Sequence, residues 1–219
     1  MFIGFGKFHS GSMVPIEART QIKDITLVID AGHGGEDGGA VAPDGTLEKD
    51  INLSVASQTA QILKSNGFNV ILTREEDKML SSSEFSGKKK QSDLTARVEI
   101  TNSYENPIFI SIHMNKFPDS RCKGAQVYYS KNNNDSKELA KIFQNAIQKN
   151  LQSDNKREIK EATSAIYVLN NLNCPAVLIE CGFLSNPSDL QNLKNEDYQK
   201  KLSVVISAAI MNGVINERT

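Results

Sequence analysis

The chain has 219 residues, 39% of them hydrophobic and 23% charged, and a formal net charge of -1. That length suits one domain with a sizeable core. The near-zero charge excludes a global field for nucleic acid or an anionic membrane surface, and no apolar run approaches the roughly 20 residues of a membrane-crossing helix.

Residues 1–22 are expected to be a flexible N-terminal segment, and Gly4 to Arg19 within it is irregular and polar, with no helical or strand period. Met1-Phe2-Ile3-Gly4-Phe5 reads as the stub of a removed signal or anchor, or equally as a plain flexible terminus. A membrane anchor on the first reading lies outside this chain. Ile25 to Asp30 predicts the first strand, and a Gly-rich loop runs from Gly32 to Gly45. Asp50 to Lys64 predicts a helix with Ile51, Val55, Ile62 and Leu63 toward one side, ended by Gly67. Asn69 to Thr73 is the second strand, and Met79 to Ser92 a polar loop carrying Lys88-Lys89-Lys90. Asp93 is placed to cap a helix over Leu94 to Tyr104.

Ile108 to His113 has the apolar run of a central strand, and Ala125 to Tyr129 is rich in β-formers. Asp135 to Leu151 has a helical stripe of Leu139, Ile142, Phe143, Ala146, Ile147 and Leu151. Gln152 to Thr163 is a charged loop, and Ala165 to Leu169 a short strand or turn. Ala176 to Glu180 is the last clear strand, Asn186-Pro187-Ser188 opens a short helix, and a terminal helix striped by Tyr198, Leu202, Val205, Ile206 and Ala209 stops near Gly213. Strand and helix alternate throughout. The expected fold is α/β: a single domain over 23–219, with a twisted, mainly parallel β-sheet and helices on both faces.

In open α/β sheets, ligands bind at the carboxyl ends of the strands. His33 follows the first strand, His113 closes the central one, Glu180 closes the last, and Glu48 stands just before the first helix. Two imidazoles and a carboxylate make a catalytic zinc set with a position left for water. A second, non-ligating carboxylate can take and return a proton. Glu180 suits that task, because burial at the end of an apolar strand raises a carboxyl pKa.

Each residue alone has a plainer reading. A histidine after a strand is usually a hydrogen-bonded loop residue, and Glu48 suits a solvated or helix-capping acid. Asp30, also at a strand end, competes with Glu48 as ligand or orients a ligating histidine from behind. The Gly-rich segment fails the dinucleotide pattern, because Asp37 stands where its third glycine belongs. Its glycines instead let the backbone turn tightly around a metal ligand. The Lys88-Lys89-Lys90 run reads as a solvated loop, with attraction of an acidic polymer as the lesser reading. Cys122, Cys174 and Cys181 form no C-x-x-C and read as buried thiols.

Taken in order, several blocks resemble the zinc-dependent N-acetylmuramoyl-L-alanine amidases of the type 3 class. They are Val28-Ile29-Asp30-Ala31-Gly32-His33-Gly34-Gly35, then Leu47-Glu48-Lys49-Asp50, then Thr73-Arg74 with Asp77, and Leu94 with Arg97. Ser111-Ile112-His113-Met114-Asn115 and Cys174 through Glu180 to Asn186 complete the set. The resemblance implies zinc ligands at His33, Glu48 and His113, a catalytic Glu180, and Asn115 as a substrate-binding residue. It settles Glu48 over Asp30. It also implies hydrolysis of the amide between N-acetylmuramic acid and L-alanine in peptidoglycan, in a protein exported to the cell envelope or spore cortex region.

The segment Ser130 to Thr163 has room for one packed helix and a loop, so the cleft is expected to be open rather than plugged. A short chain without a wall-binding module is similar to the germination-specific, CwlD-type amidases of spore formers. Those act with a deacetylase to make muramic-δ-lactam in spore cortex. An activating or targeting protein partner fits such a chain. Two alternatives remain: a zinc carboxypeptidase acting on the stem peptide, and a zinc-containing wall-binding module without turnover.

Overall fold

The computed structural model describes residues 24–80 and 89–216. The N-terminal segment with Met1–Phe5, and Lys88 of the lysine run, lie outside them. Six strands form one sheet: β1 (Thr26–Ala31), β2 (Asn69–Leu72), β3 (Pro107–Asn115), β4 (Gln126–Tyr129), β5 (Lys160–Glu161) and β6 (Ala176–Phe183). Their spatial order is β2-β1-β3-β6-β4-β5. The first four run parallel, and β4 is antiparallel to β6. β1 is buried along its whole length, as a central parallel strand covered on both faces must be.

The helices are α1 (Glu48–Ser65), α2 (Lys89–Asn102), α3 (Asp135–Asn150), α4 (Tyr167–Asn171), α5 (Pro187–Lys194) and α6 (Glu196–Asn216). The larger core lies on one face of the sheet. There α1, α3 and α6 bring Val55, Leu63, Phe143, Ile147, Leu202 and Ile206 against Ile29, Ile110 and Ile179. The i, i+4 spacing of the α3 stripe places Leu139, Phe143 and Ile147 on one side, and burying Phe143 alone contributes about 2–3 kcal/mol. The smaller core lies on the other face, where Val168 and Leu169 of α4 meet Val28, Phe109 and Ala176, and Leu94 of α2 packs at its margin. Strand residues alternate between these faces, so Glu180 and Leu178 look toward the thinner side while Ile179 and Cys181 fill the main core.

Some local expectations need correction. Asp93 does not cap a helix. It lies inside α2, where its side chain accepts from Leu80 N (2.7 Å) and Arg97 Nε (3.0 Å). The short strand or turn expected at Ala165 to Leu169 holds the start of α4, and the charged loop after α3 contributes the two-residue β5. The terminal helix runs through Gly213 to Asn216, and Gly213 instead lies close against Ile142 of α3. β3 and β6 continue past His113 and Glu180, so those two side chains stand within the strands rather than at their ends.

Candidate active site

The chain steps from β1 to β2 on one side, then returns to place β3 on the other side of β1. Such a reversal opens a crevice beyond the carboxyl ends of the two strands. His33 leaves β1 into that crevice, and His113 reaches it from β3. Glu48 enters as the first residue of α1, with Ala40 O accepting its backbone N at 2.9 Å. One donor atom from each of the three residues lies within 4.8 Å of the other two.

Buried Glu48 presents one oxygen to each imidazole. Its Oε1 is 2.9 Å from His113 Nδ1, and its Oε2 is 3.3 Å from His33 Nε2. Met114 N (3.1 Å) and Asn52 Nδ2 (3.3 Å) also donate to Oε1, and Ala40 N (2.7 Å) donates to Oε2. Burial opposes ionisation of Glu48, but hydrogen bonds to His113 and His33 and their charges outweigh it and hold the carboxyl far below its ordinary range. Burial likewise opposes protonation of His33. The hydrogen bond and charge of Glu48, followed by those of Asp37, prevail and raise its pKa to about 9.

Asp37 explains how the His33 ring is oriented. Its Oδ2 is 2.9 Å from His33 Nδ1, which leaves Nε2 facing Glu48. A carboxylate behind a ligating histidine fixes ring and tautomer and makes the imidazole more basic. The sequence reading offered Asp30 for this role, and the structure corrects it. Asp30 makes no hydrogen bond to either imidazole among the described residues; it accepts from Thr73 Oγ1 and Ser111 Oγ, each at 2.6 Å, and pairs with Arg97.

Two glycines make room for the cluster. A Cβ on Gly32 would collide with Cε1 and Nε2 of His113. Gly39 has φ +67°, and a Cβ there would lie 2.5 Å from Glu48 Oε2. The Gly-rich loop thus wraps the three donors.

Glu180 pairs with His113 in register on the adjacent parallel strand. The residue is part-exposed, yet its Oε2 is buried and has no hydrogen-bond partner among the described residues. Burial, opposed by the charge of His113, raises its pKa to about 7. A cavity of about 230 Å³ opens here, lined by His33, His113 and Glu180 together with Leu94, Phe109 and Val168. A larger groove of about 810 Å³ lies between α3 and the loop after it and contains none of these residues. Asn115 ends β3 opposite Phe183, and its carbonyl accepts from Leu184 N at 2.7 Å. α3 packs into the main core on the face away from Glu180, so it does not fill the cavity.

The donor set fits zinc. It offers two imidazole nitrogens and one carboxylate, with a second carboxylate near but apart. The residues that sequence reasoning did not assign are Asp37, Asn52, Arg74 and Arg97. The last three reach the site through backbone carbonyls or Glu48; the blocks of the resemblance mark Arg74 and Arg97 without saying what they touch.

The model of the family described as N-acetylmuramoyl-L-alanine amidase matches residues 27–212. The germination-specific N-acetylmuramoyl-L-alanine amidase of Bacillus subtilis (strain 168) is 37% identical over 187 residues, covering 84% of this chain and 78% of that protein. The CwlD amidase of Clostridioides difficile, solved in complex with the GerS lipoprotein, superposes with a TM-score of 0.81 at 42% identity, covering 86% of this chain and 97% of that one. AmiC2 of Nostoc punctiforme, also an N-acetylmuramoyl-L-alanine amidase, superposes with a TM-score of 0.75 at 30% identity, covering 86% and 96%. With a family match along nearly the whole described chain and relatives alike in both sequence and fold, this chain belongs to the N-acetylmuramoyl-L-alanine amidases, hydrolases acting on cell-wall peptidoglycan.

Proposed function

We propose that the chain carries out a zinc-dependent hydrolysis of the amide between the lactyl group of N-acetylmuramic acid and L-alanine. His33, Glu48 and His113 hold the zinc, and Glu180 handles the proton. The observation that carries this reading is the buried, unpartnered Oε2 of Glu180, across one strand pair from a His–Glu–His donor set. When bound, zinc polarises the scissile carbonyl and lowers the pKa of water from 15.7 to about 7. Asp37 keeps His33 Nε2 free to ligate by occupying Nδ1. Glu180, with its pKa raised to about 7, accepts the proton from the attacking water at its carboxylate and delivers it to the leaving alanine nitrogen. Asn115, two residues beyond His113 on β3, is assigned to substrate binding on the strength of the family resemblance.

The biological setting we propose is spore cortex: amide cleavage that leads to muramic-δ-lactam and prepares the spore for germination. The resemblance to the germination-specific enzyme of Bacillus subtilis supports it. A protein partner is part of the same proposal, because the CwlD relative was solved with a lipoprotein bound. Export to the envelope follows from the substrate. No helix among the described residues is long and apolar enough to cross a membrane.

Product analysis tests the reaction. The full chain with zinc, given purified peptidoglycan, should release stem peptides beginning at L-alanine. Release of a carboxyl-terminal amino acid instead would make it a carboxypeptidase. Binding with no cleavage, with or without a partner, would make it a wall-binding module.

A further inference from the structure

Three consecutive carbonyls at the turn out of β1 point at two buried guanidiniums. Ala31 O accepts from Arg74 Nε (2.9 Å) and Arg97 Nη1 (3.1 Å). Gly32 O accepts from Arg74 Nη2 (3.1 Å), and His33 O from Arg97 Nη2 (2.9 Å). Both arginines are almost completely buried. Arg97 balances its charge against Asp30 and Asp93. No carboxylate among the described residues pairs with Arg74. It spends its remaining donors on Lys49 O (2.8 Å) and Glu76 O (3.2 Å), tying the end of β1 to the start of α1 and to the loop after β2. A buried charge so arranged is costly to keep and needs a use.

His33 supplies the use. Its φ is +62°, in a region sparsely populated by residues with a Cβ, and such a conformation persists only where the surroundings impose it. The torsions of His33 are set by the two peptide planes that flank its Cα. Gly32 O belongs to the plane before it and His33 O to the plane after it. Arg74 holds the first plane and Arg97 the second. Beyond them, Asp77 Oδ1 accepts from Gly35 N (2.7 Å), and Lys49 Nζ donates to Gly35 O (2.8 Å) and to Asp77 Oδ2 (2.6 Å).

We infer that Arg74 and Arg97 are positioning residues for His33: they pin both flanking peptide planes and aim its imidazole at Glu48 and His113 before any metal arrives, with the Lys49–Asp77 pair securing the far side of the loop. The inference rests on the zinc reading above. Lysine cannot replace either arginine, because a single ammonium does not span two carbonyls in one plane.

The test measures the zinc dissociation constant of the full, metal-free chain by competition with a chromophoric chelator. Arg74→Lys and Arg97→Lys are compared with Leu202→Ala, a destabilising change in the core under α6 and remote from the loop. Each lysine variant should bind zinc about 10- to 100-fold more weakly, as when the groups behind metal ligands are removed. Leu202→Ala should lose thermal stability and keep its zinc affinity. Unchanged affinity in both lysine variants overturns the inference. An equal loss in Leu202→Ala overturns it too, because affinity would then report only global stability. If the lysine variants do not fold, Asp77→Asn, at a half-exposed side chain, decides: weakened zinc supports the inference and unchanged zinc overturns it. A wild-type chain that binds no zinc overturns the metal reading and the inference together.

Discussion

Glu180 and His113 face each other across one pair of parallel strands, so the acid proposed to handle the proton and an imidazole proposed to hold the metal share one rigid surface. Neither needs a loop movement to meet the other. The acid has one buried oxygen without a partner among the described residues, an arrangement that costs stability and that the proposed proton transfer would use.

A stability measurement should reveal the sacrifice. Burial lifts the folded pKa of Glu180 from 4.5 to about 7. Between those values the folded chain holds a proton that the unfolded chain has released, so this group's contribution to stability falls as pH rises through that window. Above pH 7 the metal-free Glu180→Gln variant should exceed wild type by roughly 1–3 kcal/mol in urea unfolding, and its pH slope in the window should be shallower. Parallel slopes for the two proteins would show that the carboxyl is not the group titrating.

Zinc uptake should be coupled to proton release. In the metal-free chain His33 titrates near 9, raised by Glu48 and Asp37 against the effect of burial. Its imidazolium stabilises the metal-free fold below its unfolded value of 6.5, and this contribution fades as pH rises through about 9. Zinc must displace that proton. Apparent affinity should therefore drop about tenfold for each pH unit below the His33 pKa. Chelator competition at several pH values measures the slope, and a flat profile would exclude His33 as a protonated ligand.

Asp37→Asn removes the negative partner of His33 Nδ1. We expect zinc affinity to fall about 10- to 100-fold, with the His33 pKa moving down toward its ordinary range. Titration of the metal-free imidazoles by nuclear magnetic resonance reads the second effect directly.

Gly39→Ala should be more damaging than its size suggests. The added methyl meets Glu48 Oε2 at 2.5 Å, at a backbone φ of +67°. A loss of about 1–3 kcal/mol in stability is expected, together with weakened zinc binding. Gly32→Ala should displace the His113 ring in the same way. Thermal unfolding with and without zinc separates the two effects.

The sheet is legible from sequence because its central strands are buried on both faces, and Thr26–Ala31 and Ile108–Ile112 read as nearly unbroken apolar runs. The α3 helix is legible from its stripe. The site's histidines and acids are legible because each follows or interrupts an apolar run near the carboxyl side of the sheet, although His113 and Glu180 stand inside their strands rather than at the ends. What escapes is tertiary. Asp93 has the composition of a helix cap, but Arg97 and Leu80 N claim its side chain. Asp30 and Asp37 are both acids near His33, and only the folded loop shows that Asp37 reaches the ring while Asp30 is taken by Thr73, Ser111 and Arg97. Arg74 and Arg97 stand in the blocks of the resemblance, but that they act on backbone carbonyls shows only in the fold.

The most direct test pairs zinc content with amide cleavage in wild type and Glu180→Ala, on purified peptidoglycan. Wild type should carry zinc and free the L-alanine amino group. Glu180→Ala should keep its zinc and lose about 10²- to 10⁴-fold in turnover, the usual contribution of a positioned proton-transfer group. A variant that loses its zinc would make Glu180 a ligand, and one that keeps its turnover would place the proton transfer elsewhere.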